Sequence, residues 1–220
     1  MRARGNIKAD FGTFLFQMKN IRSVFWVPVA TVYILIPLIL LLTMRKYQDM
    51  YYVEESFMLL GQYIVPVLAT WWFSFAFIEL VENEGNELYY VNSRMKDNLM
   101  LLWLGSYLVI IGIGCLAASY WIDIALIEFL RMAICSCFYI ALEYAAMYWS
   151  GSMTFSFLVI MLYWLATVFG DQIPLEWLNC YSSQFMSAGL FWEKYIGIMC
   201  VAIIFYILGC IGNARKEKFN

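Results

Sequence analysis

An all-α polytopic membrane protein is the fold class this sequence predicts, on three observations. The first is composition: 64% of the 220 residues are hydrophobic and 14% charged. An ordinary soluble domain has roughly half and about a quarter. The mean hydropathy is correspondingly high, at +0.72. The second is layout: apolar runs at about 24–43, 56–81, 98–118, 124–149, 153–170 and 194–213 are separated by polar or small-residue connections. The third is length. At ~1.5 Å per helical residue, such runs match the ~30 Å hydrocarbon core of a bilayer. The expectation is one domain over 24–220 with six transmembrane helices. An amphipathic helix precedes it at 1–23, a short cytoplasmic helix follows the second span, and a membrane-dipping segment precedes the sixth.

The amino-terminal segment is basic, with Arg2, Arg4, Lys8, Lys19 and Arg22 against Asp10. No cleavable signal pattern is present, because the basic start leads into an amphipathic stretch. Phe11, Phe14, Leu15, Met18 and Ile21 fall on one helical face, with Thr13, Gln17, Lys19 and Asn20 elsewhere. Such a helix lies in the membrane interface or folds against the bundle.

Val24–Thr43 is an uncharged run, with Pro28 and Pro37 placed to kink it. Met44–Glu55 reads as a polar connection, and Ser56–Val81 as a second span containing Pro66 and the pair Trp71-Trp72. The interval Glu82–Arg94 then organises the chain, because the carboxylates at Glu79, Glu82, Glu84 and Glu87 place it in water. Gly85 breaks the preceding span, and Asn86 can cap a short helix with Leu88, Tyr89, Tyr90 and Val91 on an apolar side. Such a helix suits a docking knob for a soluble partner. The other reading is a polar loop on the lipid headgroups.

Ser93 can cap the third span, which Gly105, Gly112 and Gly114 open to close helix contact. After a tight join at Ser119–Asp123, the fourth span carries Glu128 and Arg131, three apart and able to pair. Glu143 lies deeper, without a partner on its own helix. An intramembrane carboxylate is a functional candidate, and here snorkelling to the interface six residues on at Trp149 is the alternative. Ser150-Gly151-Ser152 is a turn into the short fifth span. Asp171–Glu193 is too apolar for a solvated loop. Pro174, Trp177, Asn179 and Tyr181 belong to a segment expected to dip into the interface or pack on the bundle as half-helices.

Basic residues set the orientation. Six spans put both ends, the interval after span two and the Gly151 turn on one side. Arg2, Arg4, Lys8, Lys19, Arg22, Arg94, Lys96, Arg215, Lys216 and Lys218 lie there, against Arg45, Lys46 and Lys194 on the other. Ten against three places both termini in the cytoplasm.

Several chemistries are excluded. The chain has no histidine, which removes most hydrolase triads and His-ligated zinc sites. It has no phosphate-binding Gly-rich loop and no Gly-x-Ser-x-Gly elbow. Glu54-Glu55 begins an intramembrane-protease-like motif, but Leu59 stands where arginine is required. Cys115, Cys135, Cys137, Cys200 and Cys210 lie in apolar runs and Cys180 is alone in a connection, so the spacing gives no disulfide framework or zinc site.

The layout resembles the type-2 ABC exporter permease family. That family's loop after span two commonly reads Glu-x-Glu-x-Gly-Thr-x-Glu, then apolar residues and a Ser-Arg pair. Glu82, Glu84, Gly85, Glu87, Leu88 and Ser93-Arg94 fit with a small spacing change, and Asn86 replaces the threonine. The family's Asn-Pro before span six is half present, as Asn179-Cys180.

The resemblance implies that Gly85–Val91 is a coupling helix seated in a groove of a separate ATPase, with Tyr89 and Tyr90 docking and Arg94 at its end. It implies a permease subunit with no catalytic residue and no cofactor of its own. ATP and Mg bind the partner ATPases, and a second identical or related permease completes the transporter. Membrane lipids surround it in a prokaryotic plasma membrane, and no nucleic acid is involved. Aromatic residues, 19% of the chain, suggest an amphipathic or hydrophobic cargo such as an antimicrobial peptide, a lipid-like molecule or a drug. The alternative is a non-transporting membrane sensor, assembly or immunity module.

Overall fold

The computed structural model describes residues 7–81, 93–169, 178–182, 185 and 188–219. Among these residues the chain is helical and without strands. Its helices are α1 (Ile7–Ile21), α2 (Trp26–Ala30), α3 (Ile36–Tyr47), α4 (Met50–Tyr63), α5 (Val65–Val81), α6 (Ser93–Ala118), α7 (Ala125–Ser150), α8 (Met153–Val168) and α9 (Ala188–Phe219). Among the described residues, five helical runs are long and apolar enough to cross a membrane: 10–47, 50–78, 96–118, 125–150 and 189–215. α8 is apolar but shorter.

The first run spans 38 residues, about 57 Å if straight and nearly twice the hydrocarbon thickness. It is divided at Arg22, whose φ of 51° is left-handed. A 3-10 turn over Arg22–Phe25 follows, then α2 and a π-helical turn at Thr31–Leu35. The widened turn has a local cause: Pro37 offers no N–H to the carbonyl four residues back, at Tyr33.

α1 folds against α5 and α6. Its inner face is set by Asp10, Phe14 and Gln17, all buried, while Phe11, Leu15 and Phe16 point outward. Gln17 bridges two helices: its Nε2 donates to the Ala76 carbonyl at 3.0 Å, and its Oε1 accepts from Trp103 Nε1 at 3.0 Å. Asn98 Nδ2 donates to Asp10 Oδ2 at 2.7 Å. Gln17 thus lies on the packed face, contrary to the expectation from its polarity. A buried amide that satisfies both of its hydrogen-bonding ends is a tether.

The connection expected over Met44–Glu55 is much shorter. α3 continues through Arg45 and Lys46, two cations suited to a helix C-terminus. Gln48, with φ 52°, ends the helix. Asp49 caps α4, its Oδ1 accepting from the Tyr51 N–H at 3.0 Å. Glu54 and Glu55 are helical. Likewise α9 begins at Ala188, so Leu190–Glu193 form its first turns and not part of the dip. Phe191 is buried and stacks on Tyr195 at 4.8 Å, which favours the early start.

α7 is the central helix. It packs on α4, α5, α6, α8 and α9, and is buried on nearly all sides. Gly209 and Gly212 of α9 face Tyr144 and Tyr148 of α7, and a Cβ on Gly209 would overlap the Tyr144 ring. Small residues at such a seam let two helices pack backbone to side chain. At its end, Gly151 adopts φ 76° and Ser152 caps α8, its Oγ accepting from the Phe155 N–H at 3.4 Å.

Candidate functional site

Polar side chains are costly inside an apolar bundle unless they find partners. Two groups of them lie along α7, one toward each end.

The first group sits at the end nearest the interval 82–92. Glu143 is fully buried (0% exposed) and accepts a hydrogen bond from Ser74 on α5 at its Oε1. It is enclosed within the bundle, with a partner from a neighbouring helix. No described residue bonds its Oε2. One residue on, Tyr144 donates its hydroxyl proton to Asp97 on α6. The same carboxylate oxygen accepts from Asn213 Nδ2 on α9 at 3.2 Å. Lys96, also buried, sits with its Nζ 5.9 Å from the Tyr148 ring centre. The Tyr144 ring packs edge-on to Phe73 and Phe77 of α5 and to Tyr148. Four helices, α5, α6, α7 and α9, are thus tied at one level.

The second group lies toward the other end. Arg131 and Glu128 form an ion pair at 3.2 Å with both side chains buried. The Arg131 guanidinium also lies 5.6 Å from the centre of the Tyr195 ring. A fully desolvated pair of this kind needs such surroundings, because each charge alone would cost several kcal/mol. Above it runs the described part of the segment before α9. Tyr181 stacks on Tyr63 at 4.7 Å, and its N–H donates to Asn179 Oδ1 at 2.9 Å. Ser182 N donates to Gln62 Oε1 at 2.8 Å, and Lys194 donates to the Tyr181 carbonyl. Residues 178–182 are therefore packed on α4 and α9, with Cys180 buried beneath.

Of the residues singled out in the sequence, Glu143, Glu128, Arg131, Asn179 and Tyr181 are thus built into the bundle. Glu82, Glu84, Gly85, Glu87, Leu88, Tyr89 and Tyr90 lie outside the described residues, as do Pro174 and Trp177. Arg94 belongs to the first turn of α6. Sequence reasoning missed Ser74, Asp97, Tyr144 and Asn213. A signal existed for two of them: Asp97 and Asn213 are polar residues at the margins of long apolar runs.

At the far end an apolar groove of about 790 Å³ opens between α3, the start of α4 and the end of α6. Tyr33, Leu40, Met44, Met50, Trp121 and Ile122 line it. Tyr120 and Trp121, at 85% and 80% exposed, stand at its rim. Among the described residues no group of three or more carboxylates and thiols is placed to hold a metal ion.

No protein-family model matches the chain, and no curated protein or solved structure matches it.

Proposed function

We propose that this chain is the membrane subunit of an ATP-driven exporter, working as a pair of permeases on two ATPase subunits. In this reading it crosses a prokaryotic plasma membrane six times with both ends inside, and α8 is the short fifth span. The cargo is amphipathic or hydrophobic: a peptide, a lipid-like molecule or a drug. The subunit is not itself an enzyme.

The observation that carries the reading is the anchoring of α6. Asp97 follows Arg94 by three residues and is hydrogen-bonded by Tyr144 of α7 and Asn213 of α9. A push on the interval 82–92 would therefore act on α6 at a point already fastened to two other helices. The Glu-rich motif and the aromatic pair Tyr89-Tyr90 supply the chemistry for the push, a docking knob with acidic neighbours. Affinity purification of the tagged chain from its own cells tests this: an ATPase should accompany it, and candidate cargos should stimulate ATP hydrolysis. Purification without an ATPase would favour the second reading.

That second reading is a non-transporting sensor, assembly or immunity module. The open apolar groove supports it, since a groove of that size could seat a hydrophobic segment of a target.

A further inference from the structure

We propose that Cys135 and Cys180 are a redox pair that closes into a disulfide, fastening the segment before α9 to the central helix α7. Their separation of 45 positions hides the relationship in the sequence. Both are buried in one cluster with Tyr139, Phe191 and Tyr195. Cys135 Sγ lies 3.8 Å from the carbonyl oxygen of Cys180.

Cys180 is held in this position from two sides. The Tyr163 hydroxyl donates to the Leu178 carbonyl at 2.5 Å and stands 3.3 Å from Cys180 Sγ. The Tyr195 hydroxyl donates to the Cys180 carbonyl at 3.0 Å. All six cysteines are free thiols. Of the others, Cys115 packs in the separate core cluster and Cys200 faces outward.

Arg131 is paired with Glu128, and Lys194 donates to the carbonyl of Tyr181, the neighbour of Cys180. Exchange proceeds through the thiolate, the attacking form. In the ends-inside orientation that the basic residues predict, the segment carrying Cys180 is on the outer side, where disulfides persist. That placement follows from the orientation of the chain and does not depend on an exporter role.

The step needs a disulfide oxidant, of which oxidised glutathione is the simplest. Local opening of 178–182, a stretch held by side-chain hydrogen bonds, admits it. The Cys180 thiolate attacks one sulfur of the oxidant, whose S–S bond breaks and releases one glutathione thiol. The Cys135 thiolate then attacks the Cys180 sulfur of the mixed disulfide and releases the second. Two electrons pass to the oxidant, and the two protein thiol protons end on its two thiols.

The test uses the purified full chain with excess oxidised glutathione, followed by alkylation of free thiols and peptide mass analysis. The expected result is a linked Cys135–Cys180 peptide with loss of alkylation at both positions, reversed by dithiothreitol. Cys135→Ser and Cys180→Ser should each abolish the linked peptide, and Cys200→Ser should retain it. Alkylation of both thiols under conditions that glutathionylate Cys200 would overturn the proposal, as would a lasting glutathione adduct on Cys180 with Cys135 still free. The unmodified chain is the deciding sample, so a variant that fails to fold leaves the test intact.

Discussion

Tyr144 on α7 donates its hydroxyl proton to Asp97 on α6, across 47 positions of sequence, and so ties the central helix to the helix that follows the organising interval. Removing the donor leaves a half-buried carboxylate with one bond fewer. Tyr144→Phe should destabilise the chain by roughly 0.5–1.5 kcal/mol, the usual net worth of one hydrogen bond, since Asn213 still bonds the carboxylate. Thermal unfolding in detergent reads the loss. In the exporter reading, transport should fall while the ATPase stays bound, because the docking residues are untouched.

Glu143 gives a second test. Glu143→Gln keeps an acceptor for Ser74 and removes the ionisable carboxyl, so the melting temperature should stay within a few degrees of the parent. Glu143→Leu strands the Ser74 hydroxyl and should melt lower than Glu143→Gln. If the glutamine variant folds as well as the parent but loses transport, the carboxylate acts in function and not only in packing.

Gly209 faces the Tyr144 ring without room for a methyl group. Gly209→Val should force α9 away from α7 and cost roughly 1–3 kcal/mol, as overpacking does. Gly105, where a methyl group would meet no atom within 4 Å, is the control. Gly105→Ala should be neutral or stabilising, since alanine is the better helix former. Equal melting of the two variants would contradict the close seam.

Tyr89 and Tyr90 are the expected docking residues. Replacing both with alanine should weaken ATPase association by on the order of 2 kcal/mol or more per tyrosine and abolish transport, with membrane insertion intact. Glu87→Gln should act mildly, by roughly 0 to 1 kcal/mol, and more visibly at low salt. Full ATPase binding by the double variant would remove the main support for the exporter.

Orientation is checked by single cysteines at Asp49 and Ala214, both exposed, in a cysteine-free background. An impermeant thiol reagent applied to intact cells should label only the Asp49 position. Labelling at Ala214 would reverse the ends-inside arrangement.

The helical class, the long apolar runs and the tight turns at Ser119–Asp123 and Ser150–Ser152 were legible in the sequence. They follow from local facts: run length against bilayer thickness, and the conformations open to Gly151 and Ser152. The Glu128–Arg131 pair was legible too, because a spacing of three residues on one helix brings the two together. Helix ends were less so. The cations Arg45 and Lys46 look like loop residues in composition, yet they suit the last turn of a helix, and the cap at Asp49 needs only two residues of connection.

The long-range partners emerged only from the packed chain. Ser74 and Glu143 are 69 positions apart, Gln17 and Trp103 are 86 apart, and Asp97 and Asn213 are 116 apart. No periodicity links such residues, because their meeting depends on which faces of α5, α6, α7 and α9 pack together and in what rotation. The burial of Gln17 and the contact of Cys135 with Cys180 arise the same way. A side chain's character is written locally, but its environment is set by neighbours that only the folded chain brings within reach.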